Sequence, residues 1–128
     1  MIIMKKYVIK KCMECGSLVK VLVDCNCDDC GIRCCDDEMK ELKPNSVDAS
    51  FEKHVPTYEV KGDKMVVRVS HVMEEDHYIE WVSIVKDNSE ETFYFEPGDN
   101  IEIEVDYVKG CKLYSYCNKH DLWMCEVE

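Results

Sequence analysis

Seven of the ten cysteines in this chain of 128 residues fall between Cys12 and Cys35, and that crowding limits the fold more than any other feature. Residues 5–23 hold two short apolar runs, Tyr7-Val8-Ile9 and Leu18-Val19-Lys20-Val21-Leu22-Val23; the stretch from Asp24 to Cys35 is polar, with neither a helical nor a strand period. A unit of about 40 residues with so few large apolar side chains cannot be held by burial alone, so a metal must staple it. Met1-Ile2-Ile3-Met4 followed by Lys5-Lys6 is too short for a secretory signal, and its charge and apolar parts stand in the wrong order. Closely spaced cysteines without such a signal are expected to be metal ligands in a cytoplasmic protein rather than disulfides.

Cys12-Met13-Glu14-Cys15-Gly16 is a C-x-x-C knuckle with a glycine to close its turn. With the adjacent pair Cys34-Cys35 it supplies four thiolates, the set that holds one tetrahedral iron or zinc. Neighbouring α-carbons are only about 3.8 Å apart, so two consecutive thiolates on one ion should open the angle between them. Cys27-x-x-Cys30 is a second knuckle, and Cys12, Cys15, Cys27 and Cys30 would make a zinc-ribbon-like set instead. In the first arrangement Cys25, Cys27 and Cys30 are left as free or disulfide-forming surface thiols.

Leu42 to Ser50 has linker composition, which puts the domain boundary there. After Pro56 the chain reads as strands. Met65, Val67 and Val69 alternate with Val66, Arg68 and Ser70; Tyr78 to Val85 is mostly apolar; Glu91 to Phe95 is short and aromatic; and Ile101 to Tyr107 alternates cleanly. Cys111 to Cys117 and Leu122 to Val127 follow, with turns such as Pro97-Gly98-Asp99-Asn100 between runs. Short strands with regular turns and no convincing helix predict an antiparallel β-sandwich. No apolar run is long enough to span a bilayer. A formal net charge of -11 with no basic stripe argues against nucleic acid as a partner.

The chain has four histidines, His54, His71, His77 and His120, each beside a turn at the end of a strand-like run. A lone histidine is more often a surface or satisfied core residue than a ligand. Four of them at such places, with Cys117 three residues before His120, read as one metal site gathered from three loops. Cys111 and Cys125 alternate with strand residues and read as small core side chains. Trp81, Trp123 and Phe95 read as core, and Glu74, Glu75 and Asp76 as a solvated turn.

These motifs resemble a known family. The C-x-x-C then C-C arrangement ahead of a β-rich domain resembles the N-terminal module of desulfoferrodoxin, although Asp36-Asp37-Glu38-Met39 replaces the usual glycine and proline after the pair. Glu-Lys-His-Val-Pro at 52–56, Met-Glu-Glu-x-His-Tyr-Ile-Glu-Trp at 73–81 and Cys117-x-x-His120 resemble the catalytic domain of superoxide reductase. Val72 stands where the family often has proline, and Asp121 where glycine is common. The resemblance implies an Fe(Cys)4 site on Cys12, Cys15, Cys34 and Cys35. It implies a second iron with His54, His71, His77 and His120 around it, Cys117 as axial thiolate and the sixth position open. It also implies that Lys53 attracts the anion and helps deliver a proton, and that Glu52 caps the ferric ion after the product leaves. The solvated ion pair that Glu52 and Lys53 would otherwise form is worth little.

The reading is therefore all-β: a small metal-stapled β module over residues 1–43, then an immunoglobulin-like antiparallel β-sandwich over 44–128. Its expected activity is superoxide reduction to hydrogen peroxide in the cytoplasm, by a homodimer fed by a rubredoxin-like donor, with no membrane or nucleic-acid partner. The alternative from another class is a non-catalytic electron carrier or metal-binding module, with a structural zinc in the histidine and cysteine site.

Overall fold

The computed structural model describes residues 7–23 and 31–128. Cys25, Cys27 and Cys30 lie outside the described residues, and so does any zinc-ribbon-like set that would use them. The chain divides into two compact units, Met1–Lys43 and Pro44–Glu128.

In the first unit, strand β1 (Val8–Lys11) pairs antiparallel with β2 (Leu18–Val21) on one side. On its other side it pairs with β5 (Lys40–Glu41). A separate hairpin joins β3 (Arg33–Cys34) to β4 (Asp37–Glu38). Its loop is Cys35-Asp36, with φ of 54° and 64°. Two successive left-handed residues make the turn that matches the right-handed twist of a hairpin. The buried apolar side chains described in this unit are Val8, Ile9, Cys12 and Met39, which fits the expectation that apolar burial alone cannot hold it.

The second unit opens with a single helical turn, α1 (Phe51–His54), where the sequence promised none. Four residues are too few to show a 3.6-residue period, and Pro56 ends the turn by forcing Val55 into extended geometry, with φ -76° and ψ 131°. Seven strands follow: β6 (Thr57–Lys61), β7 (Lys64–Arg68), β8 (Ile79–Val85), β9 (Glu90–Tyr94), β10 (Glu102–Asp106), β11 (Lys112–Cys117) and β12 (Asp121–Glu126). They form a three-stranded sheet in the order β10-β7-β6 and a four-stranded sheet in the order β12-β11-β8-β9. Every pairing is antiparallel.

The period-2 alternation sets which residues face inward. Met65, Val67 and Ile103 from one sheet meet Val82, Ile84 and Leu113 from the other in a single apolar cluster. On the outer face of the smaller sheet the alternate positions carry charge. Arg68 pairs with Glu59 and Glu102, each at 3.3 Å, and Lys64 pairs with Asp106. Seven strands in a three-plus-four sandwich make the expected immunoglobulin-like architecture. Trp81 and Trp123 are buried, Phe95 packs on the core, Cys111 is in it and Cys125 lies against it. Among the described residues no helix is long and apolar enough to cross a membrane.

The register of β8 on β11 slips once, between Tyr116 and Cys117: Tyr116 faces Trp81, but Cys117 faces Ile79. Glu80 is thus the extra residue of a bulge, which lets Ile79 rather than Glu80 enter the core. This irregularity lies at the end of the sheet where the histidines gather.

Candidate metal centres

Each donor is placed by a different local device. His54 closes α1 and is buried, His71 follows β7, His77 precedes β8, and Cys117 and His120 bracket the β11–β12 turn. His54 therefore ends a helical turn and not a strand, as the sequence alone had suggested. The structure brings all five together. The candidate ligand atoms of His54, His71, His77, Cys117 and His120 lie within 4.8 Å of one another.

The four imidazoles close a ring. Neighbouring ring centres are 4.6 Å apart for His54–His71, 4.6 Å for His71–His77, 5.1 Å for His77–His120 and 4.9 Å for His120–His54. His54 Nε2 lies 3.2 Å from His71 Nε2 and 3.1 Å from His120 Nδ1. Nitrogens on adjacent corners of a square around a metal, at bonds of about 2.1 Å, would be about 3.0 Å apart. Cys117 Sγ lies 3.5 Å from His71 Nε2 and 3.8 Å from His120 Nδ1. Those two rings are diagonal partners, so the sulfur lies between opposite corners of the ring.

The rings are aimed from behind. His54 Nδ1 donates to the Ser50 carbonyl at 2.6 Å, and His71 Nδ1 to the Val72 carbonyl at 2.5 Å, which leaves each Nε2 lone pair facing inward. Trp123 stacks on His54 at 4.8 Å, and its indole N–H donates to the His120 carbonyl at 2.9 Å. Ser115, wholly buried, donates its hydroxyl to the carbonyl of His54. Trp123 and Ser115 were legible in the sequence only as strand residues; nothing there tied them to the histidines.

The electrostatics suit a cation. Burial lowers the pKa of His54 and His71, and the neighbouring imidazoles lower it further, so both rings are held neutral. Burial raises the Cys117 thiol, against backbone N–H groups of Lys119 and His120 that favour the thiolate. Among the described residues, His77 Nε2 is buried with no hydrogen-bond partner. A buried polar atom left so calls for an explanation, and an ion taking its lone pair is one. The donor set therefore fits a bound metal ion.

In the first unit, the ligand sulfurs of Cys12, Cys15, Cys34 and Cys35 form the second group. Cys15 Sγ lies 3.7 Å from Cys34 Sγ, and Cys34 Sγ lies 3.9 Å from Cys35 Sγ. A tetrahedron with metal–sulfur bonds of about 2.3 Å has edges of about 3.8 Å. Side chains of consecutive strand residues would point apart; the left-handed backbone at Cys35 turns its thiol back beside that of Cys34. In the knuckle, Gly16 at φ 81° donates its N–H to the Cys12 carbonyl at 2.9 Å. Hydrogen bonds from Ser17 and the other thiols lower the Cys15 pKa to about 6, while sharing protons with Cys12 and Cys15 raises Cys34 to about 12. A bound cation, which favours the thiolates, would take the place of the protons these sulfurs share.

Glu52 and Lys53 are exposed on α1, and neither belongs to the ligand group. The charge of Lys53 still contributes to lowering the pKa of His54.

A β-sandwich with a four-imidazole, one-thiolate centre, in one chain with a four-thiolate module, defines a non-haem metalloprotein with two mononuclear sites. The chain belongs to the desulfoferrodoxin family, whose model, described as Desulfoferrodoxin, matches residues 46–126. It is 39% identical over 126 residues to a desulfoferrodoxin of Nitratidesulfovibrio vulgaris, covering 94% of this chain and 97% of that one. It is 36% identical over 126 residues to a desulfoferrodoxin of Syntrophotalea carbinolica, covering 95% and 98%. The superoxide reductase of Treponema pallidum shares the fold, with TM-score 0.69 at 21% identity over 95% of this chain and all of that one. The one-iron superoxide reductase of Giardia intestinalis matches 60% of this chain and 98% of its own, with TM-score 0.51 and 26% identity.

Proposed function

We propose that the chain is a superoxide reductase: each superoxide takes one electron and two protons and leaves as hydrogen peroxide, with no dioxygen made. The observation that carries this reading is the ring of four imidazoles with the Cys117 sulfur between two of its opposite corners. Five donors would leave one position of a six-coordinate ion open to a substrate. Ferrous iron bound there would supply the electron, and a thiolate ligand stabilises its ferric form.

The chain's own residues supply the rest. His54, His71, His77 and His120 would hold the ion, and the Cys117 thiolate would set its electron richness. Lys53, beside His54, offers a local positive charge that draws the anion in against a net charge of -11 and hands on a proton. Glu52 caps the open place after the product has gone. Residues 1–43 form a desulforedoxin-like module whose Cys12, Cys15, Cys34 and Cys35 hold the other iron; residues 44–128 form the catalytic domain. The chain works as a cytoplasmic homodimer and takes electrons from a rubredoxin-like carrier.

The test is a superoxide pulse mixed rapidly with the anaerobic, fully ferrous protein. One hydrogen peroxide per superoxide, without dioxygen, is expected; a superoxide decay no faster than in buffer would refute the activity.

A further inference from the structure

Asn118 follows the axial cysteine, supplies no ligand, and makes more bonds to the segment around His77 than any function assigned so far requires. Its Oδ1 accepts the Tyr78 N–H at 2.9 Å, its Nδ2 donates to the Asp76 carbonyl at 3.0 Å, and its own N–H donates to the Tyr78 carbonyl at 3.2 Å. The partners are the residues immediately before and after His77. The amide thus works as an added peptide group, one donor and one acceptor, that ties the end of β11 to the approach of β8. On its other side this segment is held by the Glu74–His77 bridge, with N–O distances of 3.0 and 3.2 Å.

We infer that Asn118 is a positioning residue that fixes the His77 ring relative to the Cys117 sulfur, and so couples one equatorial donor to the axial one. The other rings are held differently: His54 by the Ser50 carbonyl and Trp123, His71 by the Val72 carbonyl, and His120 through its own carbonyl on Trp123. For His77 the hold acts on the main chain from both sides. Aspartate keeps the acceptor for Tyr78 but sets a carboxylate oxygen against the Asp76 carbonyl, and alanine keeps neither bond.

The inference rests on the reading of the five-donor group as an iron site, and the test separates the two. Full-length wild type, Asn118→Ala, Asn118→Asp, His77→Ala and the Asn118→Ala/His77→Ala double variant are stripped of metal. Each is given ferrous iron anaerobically and titrated with a competing chelator, and the thiolate-to-ferric absorption is recorded after oxidation. Asn118→Ala should lose about 10–100-fold in affinity at the five-donor site, as disruption of an outer support does, and its absorption should shift. Asn118→Asp should fall between alanine and wild type, and it supplies the comparison should the alanine chain fail to fold. The four-thiolate site should bind as before. The double variant should be no weaker than His77→Ala alone, because the two residues act as a unit. Unchanged affinity and absorption in both Asn118 variants, an additive loss in the double variant, or an equal loss at both sites would each overturn the inference. A wild-type chain that takes up no iron at the five-donor site would instead refute the site reading.

Discussion

At the scale of single residues, Trp123 shows how one side chain can serve both packing and chemistry. It is 2% exposed, stacks on one ligand and bonds the main chain of another. Trp123→Ala should cost about 3–5 kcal/mol in urea unfolding, the usual range for emptying a buried aromatic site. Trp123→Phe should keep most of that stability yet weaken iron retention at the five-donor site, since only the bond to His120 is lost. Lys53→Met should slow superoxide consumption about tenfold or more at low salt, with the gap narrowing as ionic strength screens the field, as stopped-flow rates at several salt concentrations would show. Cys125 gives a pH dependence. Burial pushes its thiol from 9.0 to about 11, so the unfolded chain loses its proton first. Stability should hold below about pH 9 and fall as pH climbs toward 11, and Cys125→Ala should flatten that fall in thermal midpoints of the iron-loaded protein. The residue types of the ligands were legible from the sequence because chemistry restricts them. The supports were not, since a tryptophan or serine on a strand reads the same whether or not it backs a ligand.

At the scale of elements, the site depends on two features that a periodic reading passes over. One is the single turn α1, which carries Glu52, Lys53 and His54 and is anchored by the buried bond from Ser115. Ser115→Ala leaves a buried carbonyl without its donor and should cost about 1–3 kcal/mol, measured by urea unfolding with iron bound. The other is the bulge at Glu80. Deleting Glu80 would leave Ile79 opposite Cys117 in regular pairing and remove the bend that aims the approach to His77. The expected result is weaker iron binding at the histidines with the four-thiolate site unchanged, read by chelator titration. The strands themselves were legible because period-2 alternation reports a half-buried sheet directly; their ends were not, because bulges and single turns are set by what they pack against. Asp121 illustrates the same point. It stands where the family commonly has glycine, and it adopts φ 63°, a left-handed conformation that glycine takes freely and aspartate tolerates.

At the scale of the whole molecule, the chain holds two units stabilised in different ways. The first has a small buried set and four sulfurs within 4.8 Å of one another, so removing its metal should abolish hydrogen-exchange protection in β1, β2 and β5 while β8 and β11 stay protected. Cys34→Ser with Cys35→Ser should lower iron from two per chain to one and leave the thiolate-to-ferric band of the other site intact. What the sequence determined alone was the inventory: a run too poor in apolar residues to fold without metal, the alternation of the strands, and donors whose chemistry admits few other uses. The tertiary structure decided how those donors meet. It closed the imidazoles into a ring with the sulfur between two opposite corners, left His77 Nε2 without a partner among the described residues, and fixed the ring through Trp123, Ser115 and Asn118. Composition and spacing are properties of a line, whereas coordination depends on distances between residues as far apart as His54 and His120, and only the packing of two sheets sets those.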